Sequence, residues 1–493
     1  METHNVFRRG ANVYFVGIKG TGVCALAELM HNSGITISGS DSGEVFYTDA
    51  ILKELGIPYY ETFDPSHIQK DINAVVYSAA YNEETNPELA RAVELSIPVI
   101  KYPDALGSWS AGFDSAGIAG VHGKTTTTAM AGVLASGAGL PAQVLVGSAV
   151  SGFNGRSTLV LGNKYFIAET CEYRKHFLSF RPKQIVLTAV ESDHQDFFPN
   201  YNSIRDAFVE YCLLLPQDGH LIYCADDAGA CEVAGIVKNK RPHLQLIPYG
   251  FNAQGPYQVK NYRVENERAF FSIAAFPFEF TLQIPGRYQS LNVAAALALC
   301  SLLVKKEFGG NGSADGWNEA RLQSVKNALA DFCGSKRRSE IIGTAGGILF
   351  MDDYGHHPTA IKATLEGIKS FYPKRRLIIS FMSHTYTRTA ALLEEFSRCF
   401  NSADILVLHK IYSSAREQYK GGVNGRTLFE KIDKGSNGRL SAKTGTLMYA
   451  DEPMDAFEEL KKILQPEDLF LTMGAGNNWP LGLALYDYFR SVA

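Results

Sequence analysis

The 493-residue chain has no excess of charge of either sign. Its 47 basic residues face 51 acidic ones, a formal net charge of −4. That near-balance excludes a protein that binds nucleic acid through a global basic field. No run approaches the roughly 18 apolar residues of a membrane span. The apolar stretch Val13–Val16 after Arg8 and Arg9 is too short for a signal peptide and reads as a first β-strand. The eight cysteines (Cys24, Cys171, Cys212, Cys224, Cys231, Cys300, Cys333 and Cys399) are scattered, with no C-x-x-C pair. This argues against disulfides and structural zinc, and makes a reducing cytoplasm the expected compartment. No short-period repeat occurs. What is present is ordinary for a globular protein, 46% hydrophobic and 20% charged. Glycine alone leans high, at 45 residues, or about 9% against a usual ~7%.

Length sets a prior of roughly three domains at about 150 residues each. Strand-like and helix-like segments alternate through residues 1–112: Asn12–Val16, Cys24–Asn32, Thr36–Ser38, Thr48–Leu55 and Ala74–Ser78. Alternation of this kind predicts β-α-β units and parallel sheets. Pro103, Gly107, Gly112 and Ser115 read as a break before a new strand at Ala116–Val121. A second block, 113–333, carries strands at Tyr165–Ala168 and Gln184–Ala189, a β-rich stretch Gln245–Leu282 and an apolar helix Leu291–Val304. Gly309–Gly316 reads as an exposed insertion. A third block, 334–493, alternates again, with strands at Gly347–Asp352, Leu377–Phe381, Ile405–Leu408 and Leu469–Met473, and helices at Thr359–Phe371 and Leu392–Phe400. The expected fold class is therefore α/β in three blocks.

Several glycines sit where a strand turns into a helix. Gly17-Ile18-Lys19-Gly20-Thr21-Gly22 has the spacing G-x-x-G-x-G, not the dinucleotide G-x-G-x-x-G. Such a loop lets backbone approach a phosphate at a helix N-terminus, and Lys19 would add a cation. Ser40 and Asp41 follow the second strand, where a ribose- or base-reading residue would sit. A ligand-free tight turn is the bland alternative. Gly120-Val121-His122-Gly123-Lys124-Thr125-Thr126-Thr127 is more specific. It is a shortened P-loop, with Ile118 where the first glycine belongs. Its N–H groups would cradle a triphosphate, Lys124 would reach the terminal phosphates and Thr125 would ligate Mg²⁺.

Acidic and imidazole groups follow the next strands. Glu169 is placed to hold Mg²⁺, with a solvated loop carboxylate as its alternative, and Glu172 lies three residues on. Cys171 reads as a packed thiol and not a nucleophile, since no activating histidine is assignable. His194 ends the run Glu191-Ser192-Asp193-His194 and could meet a metal or a phosphate oxygen. In the third block, Asp352-Asp353-Tyr354-Gly355-His356-His357-Pro358 lacks a zinc spacing. Arg388, in His384-Thr385-Tyr386-Thr387-Arg388, suits bidentate recognition of a carboxylate or phosphate. Lys336-Arg337-Arg338 opens the block.

Taken in order, these motifs resemble the Mur ligase family across essentially the whole chain, together with Pro285–Asn292, Gly334–Arg338 and Gly474-Ala475-Gly476. The resemblance implies a Rossmann-like N-terminal domain, a central P-loop ATPase domain and a Rossmann-like C-terminal domain. It implies an ATP- and Mg²⁺-dependent ligase of peptidoglycan precursor synthesis. Gly17, Gly20, Thr21, Gly22, Ser40, Asp41 and Ser78 would face the UDP-sugar. Gly120, His122, Gly123, Lys124, Thr125, Thr126, Asn292, Arg338 and Asp353 would meet ATP. Thr125, Glu169 and His194 would hold Mg²⁺, with Lys124, Glu169 and His194 central to catalysis. Tyr354, His356 and Arg388 would hold the amino acid. Glu169–Leu178 and the Asp352 and His384 motifs are most similar to the branch that joins L-alanine to UDP-N-acetylmuramate. That branch implies small-molecule partners only, no nucleic acid, no membrane, and a monomer or weak homodimer. Alternatives are a recycling ligase that attaches a murein tripeptide and a folylpolyglutamate-synthase-like ligase, which would lack the N-terminal block. Three departures from the family pattern occur: Tyr288-Gln289 for His-Asn, Thr385 for an arginine, and Asn477 for an aspartate.

Overall fold

A computed structural model describes residues 6–310, 314–413, 417, 419, 421–435 and 439–492. Residues 311–313 of the expected Gly309–Gly316 insertion lie outside the described residues. The chain forms two compact units. The first comprises 1–191, 202–258 and 292–329, the second 192–201, 259–291 and 330–493. Among the described residues, no helix is long and apolar enough to cross a membrane.

The first unit holds two sheets. In one, β1 (Asn12–Val16), β2 (Thr36–Ser40), β3 (Tyr59–Tyr60), β4 (Ala74–Tyr77) and β5 (Val99–Lys101) run parallel in the order β3-β2-β1-β4-β5. The order reverses between β1 and β4, and ligands of open α/β sheets sit at that switch, outside the strands' carboxyl ends. Both Gly17–Gly22 and Ser78 leave the sheet there. In the other, β6 (Asp114–Ala119), β7 (Ala142–Val150), β8 (Arg156–Val160), β9 (Tyr165–Glu169), β10 (Gln184–Leu187), β11 (His220–Cys224) and β12 (Gln245–Tyr249) take the order β12-β11-β10-β6-β9-β7-β8. Only β8 is antiparallel to its neighbour. The P-loop leaves β6, which is flanked by β9 and β10, so the ends of all three strands adjoin.

Packing selects helices that local propensity would not. Thr125–Thr128 are weak helix formers, yet all four are buried in the helix Lys124–Ala138, and Thr128 donates back to the Lys124 carbonyl at 2.8 Å. Gly139, at φ +72°, ends that helix in the left-handed conformation. Residues Val293–Cys300 of the helix Tyr288–Phe308 are wholly buried, as expected of a helix that is apolar all round. The expected break after Pro103 is instead a helix, Tyr102–Ser110. Proline starts it without losing a bond. Gly107 sits within it because a Cβ there would lie 2.1 Å from the Ser179 carbonyl oxygen.

Glu28 explains why the two sheets share one unit. It is buried on the helix Thr21–Asn32, accepts from Thr158 of β8 at 2.6 Å, and pairs with Arg156. Gln143 of β7 adds a bond to Ser33 and receives one from Trp109, each at 3.2 Å.

The second unit contains an antiparallel sheet and a mixed one. β13 (Val259–Glu265), β14 (Arg268–Ile273) and β15 (Glu279–Leu282) form the first. β16 (Glu340–Ala345), β17 (Ile348–Asp353), β18 (Arg376–Phe381), β19 (Ile405–Leu408), β20 (Leu447–Tyr449) and β21 (Asp468–Met473) form the second, in the order β16-β17-β21-β18-β19-β20. All but the β16–β17 pair are parallel. The loops after β17, β21 and β18 are thus side by side. The expected long helix over Leu392–Phe400 is shorter, Leu393–Phe396, and follows a separate helix Tyr386–Ala391 that carries Arg388.

Glu28→Ala removes the partner of a mostly buried arginine. Arg156 keeps Glu54 at 2.7 Å, so the loss falls at the low end for broken buried pairs, about 3 kcal/mol. The expected outcome is a lower urea midpoint with an unchanged m-value; an unaltered midpoint would contradict the role given to Glu28.

Candidate active site

The P-loop glycines are there because nothing larger fits. A Cβ on Gly120 (φ +137°) would lie 2.1 Å from Thr188 Oγ1, and one on Gly123 (φ +80°) 2.9 Å from Asn292 Oδ1. Thr188 at the end of β10 donates to the Ala119 carbonyl at 3.1 Å and to the His122 carbonyl. Asn292 accepts from Thr127 at 3.2 Å. His122 pairs with Glu191. The loop is clamped from both sides.

Lys124 Nζ donates to both Glu172 oxygens, at 3.0 and 3.2 Å, and to the Gly120 carbonyl. Burial alone would lower this ammonium, but the charges of Glu172 and then Glu169 outweigh it and hold Lys124 above its ordinary range. Glu169 accepts from Thr125 Oγ1 at 3.2 Å and from the Gly147 amide at 2.9 Å. A Thr hydroxyl and a carboxylate oxygen are hard donors. Octahedral Mg²⁺ at 2.0–2.1 Å places neighbouring ligands about 2.9 Å apart, so these two oxygens fit one edge of its coordination shell. Gly123 caps the helix that follows the loop, and Thr126 lies in its first turn. Cys171 is exposed rather than packed. The neighbouring Glu172 and Glu169 charges oppose a thiolate there, so it is no nucleophile.

At the first sheet, Gly17 (φ +81°) leaves no room for a Cβ beside Tyr81 and Ser78, and Gly22 none beside the Tyr102 hydroxyl. Gly20 caps the helix Thr21–Asn32 with no side-chain bond to its first amides. Lys19 does not extend a cation toward a ligand. It is buried, held by Asp49 at 3.0 Å and Glu61 at 3.1 Å and by the Ser42 and Glu44 carbonyls. Ser40 is also turned inward, donating to buried Glu88 at 2.5 Å. Asp41 organises the loop, accepting from the Lys19 and Ser42 amides at 2.7 and 2.8 Å and from the Tyr81 hydroxyl at 3.3 Å. Beyond the ends of β4 and β5 lies a cavity of about 800 Å³, lined among others by Tyr77, Tyr81, Lys101, Arg174, Lys175 and His176. Arg174 and Lys175 are both left-handed, at φ +51° and +57°.

In the second unit, Arg388 and Asp193 are both buried. Arg388 Nε and one terminal nitrogen donate to Asp193 Oδ1 at 3.0 and 2.9 Å, and the other terminal nitrogen meets His384 Nδ1 at 3.2 Å and its carbonyl at 3.3 Å. His194 (φ +53°) follows Asp193 and donates its amide to Asp193 Oδ1 at 2.7 Å. Burial would raise the Asp193 carboxyl, but Arg388, His194 and His356 hold it well below the usual range. Burial, then Arg388, push the His356 imidazole well below its ordinary value. Its Nδ1 lies 3.0 Å from the Tyr354 carbonyl, which can only accept, so Nδ1 carries the proton and Nε2 is the acceptor in the neutral ring.

Asp353 fixes two loops, accepting from the Ser339 and Gly355 amides at 2.7 Å each. Burial raises its carboxyl against the pull of Arg338. Tyr354 has Arg337 and Arg338 over its ring at 5.2 and 5.0 Å. Arg337 bonds Asp352 at 2.9 Å and the Gly474 carbonyl at 2.7 Å, tying the glycine motif after β21 to β17. Thr385, at φ +67° and ψ 137°, begins the helix that carries Arg388.

Family profiles match three stretches of the chain. These are Mur ligase family, catalytic domain (residues 12–114), Mur ligase middle domain (118–300) and Mur ligase, glutamate ligase domain (337–476). The UDP-N-acetylmuramate--L-alanine ligase of Treponema pallidum (strain Nichols) is 48% identical over 481 residues, 98% of this chain and 97% of that protein. The chain belongs to the Mur ligase family. The ligase of the same name from Borreliella burgdorferi is 39% identical to this Mur ligase, covering 95% of it and 97% of its own length. In fold, this Mur ligase is similar to the UDP-N-acetylmuramate-alanine ligase of Thermotoga maritima, with a TM-score of 0.73 at 22% identity over 98% of this chain and 100% of that one. A murein peptide ligase from Psychrobacter arcticus gives 0.64 at 20% identity, with the same coverage.

Glu172, Asp193 and Arg337 carry roles that their motifs did not assign them. Two carboxylates three residues apart after one strand were the available signal for Glu172. Nothing local marked Asp193, whose partner lies 195 residues away.

Gly123→Ala is expected to weaken nucleotide binding to this Mur ligase by about tenfold or more, measured by titration calorimetry. Gly139→Ala is the contrast, since its Cβ would meet nothing within 4 Å. Equal losses in the two variants would refute a role for close packing at Gly123.

Proposed function

We propose that this protein joins L-alanine to the lactyl carboxylate of UDP-N-acetylmuramate, with ATP converted to ADP and phosphate. The observation that carries the ligase chemistry is the P-loop lysine set beside a Thr125–Glu169 oxygen edge suited to Mg²⁺. The near-full-length relatives at 48% and 39% identity support L-alanine over a tripeptide, because the likeness to the murein peptide ligase speaks for fold alone.

The proposed jobs follow the chain: the N-terminal block takes the UDP-sugar, the central block ATP, and the C-terminal block the amino acid. The nucleotide sugar has room in the cavity beside Tyr77 and Lys101, a volume in the range of small-molecule sites. The free first-turn amides behind Gly20 suit its phosphates. Lys124 exchanges its Glu172 contacts for phosphate oxygens and offsets charge on the transferring group. Bound Mg²⁺, held by Thr125 and Glu169 with His194 as a further contact, would supply electrostatic stabilisation of the phosphates. The muramate carboxylate oxygen bonds to the γ-phosphorus as the bond to ADP breaks. The L-alanine nitrogen then attacks the acyl carbon, and phosphate leaves. Arg388 offers its remaining N–H donor to the amino-acid carboxylate. Neutral His356 presents Nε2 as an acceptor for the amino group. Asn292, Arg338 and Asp353 serve ATP, and Tyr354 packs the amino-acid side. The expected setting is cytoplasmic.

The enzyme, incubated with ATP, UDP-N-acetylmuramate and either L-alanine or the murein tripeptide, should give the single-alanine product by mass. Product with tripeptide alone would overturn the assignment. Lys124→Ala should lower turnover at least about 100-fold while circular dichroism stays unchanged; near-normal turnover would sink the proposed mechanism.

A further inference from the structure

The Arg388–Asp193 pair raises a question the amino-acid site does not answer by itself. An arginine meant to receive a carboxylate already has one. Both side chains are almost fully buried, at 7% and 4% exposure. Were Asp193 a placeholder that substrate displaces, its buried carboxylate would lose the cation it is paired with. Asp193 also accepts the His194 amide through the same oxygen, Oδ1, that holds the guanidinium. That one oxygen is therefore fixed by backbone and by Arg388 together.

The guanidinium's donors can be counted. Nε–H and one N–H of a terminal nitrogen go to Asp193, and the second terminal nitrogen goes to His384. Five N–H groups are available, and the edge between the two terminal nitrogens keeps a hydrogen with no acceptor among the described residues. A guanidinium held on its Nε side presents that hydrogen in one orientation, the condition for receiving a carboxylate oxygen.

We propose that Asp193 is a positioning residue for amino-acid recognition: it anchors the Nε side of Arg388 so that the opposite edge is aimed at the substrate carboxylate. The inference rests on the reading of Arg388 as the carboxylate's partner. The anchoring bonds all end on one oxygen, so an amide should replace the carboxylate. A truncated side chain should not.

The test is a set of KM measurements on the full-length enzyme with UDP-N-acetylmuramate present. Asp193→Ala is expected to raise the KM for L-alanine about tenfold or more, with the KM for ATP within twofold. Asp193→Asn is expected to stay within about threefold of the unaltered enzyme for both. An Asp193→Ala/Arg388→Ala double variant should be no worse for L-alanine than Arg388→Ala. An L-alanine KM that is unchanged or lowered in Asp193→Ala would overturn the proposal, as would an Asp193→Asn enzyme as impaired as Asp193→Ala. If Asp193→Ala loses its thermal transition, Asp193→Ser takes its place under the same criteria. Arg388→Ala separates the two levels. No change in its L-alanine KM would remove the underlying reading, whereas a rise there with a normal Asp193→Ala enzyme would remove only this inference.

Discussion

A lysine ammonium held at the amino end of a helix, under cover, is opposed by both burial and the helix dipole. Lys124 is in that position, and the central sheet is arranged to answer it. Glu172 and Glu169 come from the strand end next to the P-loop, so β9 has to adjoin β6. The Gly120 carbonyl faces the ammonium, which asks for a backbone turn that only glycine takes without strain. Thr188 and Asn292 then close on the loop from either side. The same geometry suits a polyphosphate, since its oxygens can take over from the carboxylates without the lysine losing compensation.

Elements that depend on neighbours in sequence were readable, and those that depend on remote partners were not. The strand–glycine–helix pattern at Gly17 and Gly120 is local, because the turn, the helix start and the free amides are made by consecutive residues. Lys19 reads as a ligand-facing cation because Asp49 and Glu61, which hold it, lie on later parts of the chain. Ser40 was misleading in the same way: its partner Glu88 lies on another element and draws it inward. Pro103 and Gly107 punctuate a sequence without breaking the helix that contains them. One starts it and the other makes room for Ser179. The site residues of the third block were visible as motifs at strand ends, but only the sheet order, with β21 between β17 and β18, explains why Arg337 can bind the Gly474 loop.

The near-zero net charge follows from how ionic groups are used. Buried or half-buried carboxylates each hold something particular in place. Glu28 ties two sheets into one unit, Glu172 compensates a lysine, Asp193 holds an arginine and Asp353 fixes two loops. The cations these carboxylates hold are matched at short range. Recognition of a charged ligand is then a matter of exchanging partners at short range, and the loops must be rigid enough to keep those partners in register.

Thr385 has a consequence of a different kind. A β-branched residue at φ +67° and ψ 137° occupies territory that glycine alone takes comfortably, at a cost of about 1–3 kcal/mol. Its amide and carbonyl are nonetheless held, by Tyr412 at 2.9 Å and Thr389 at 3.2 Å. For protein engineering, that position is an untapped reserve of thermal robustness, at the start of the helix that carries Arg388. Libraries that vary this helix can therefore draw their stability margin from the residue that begins it.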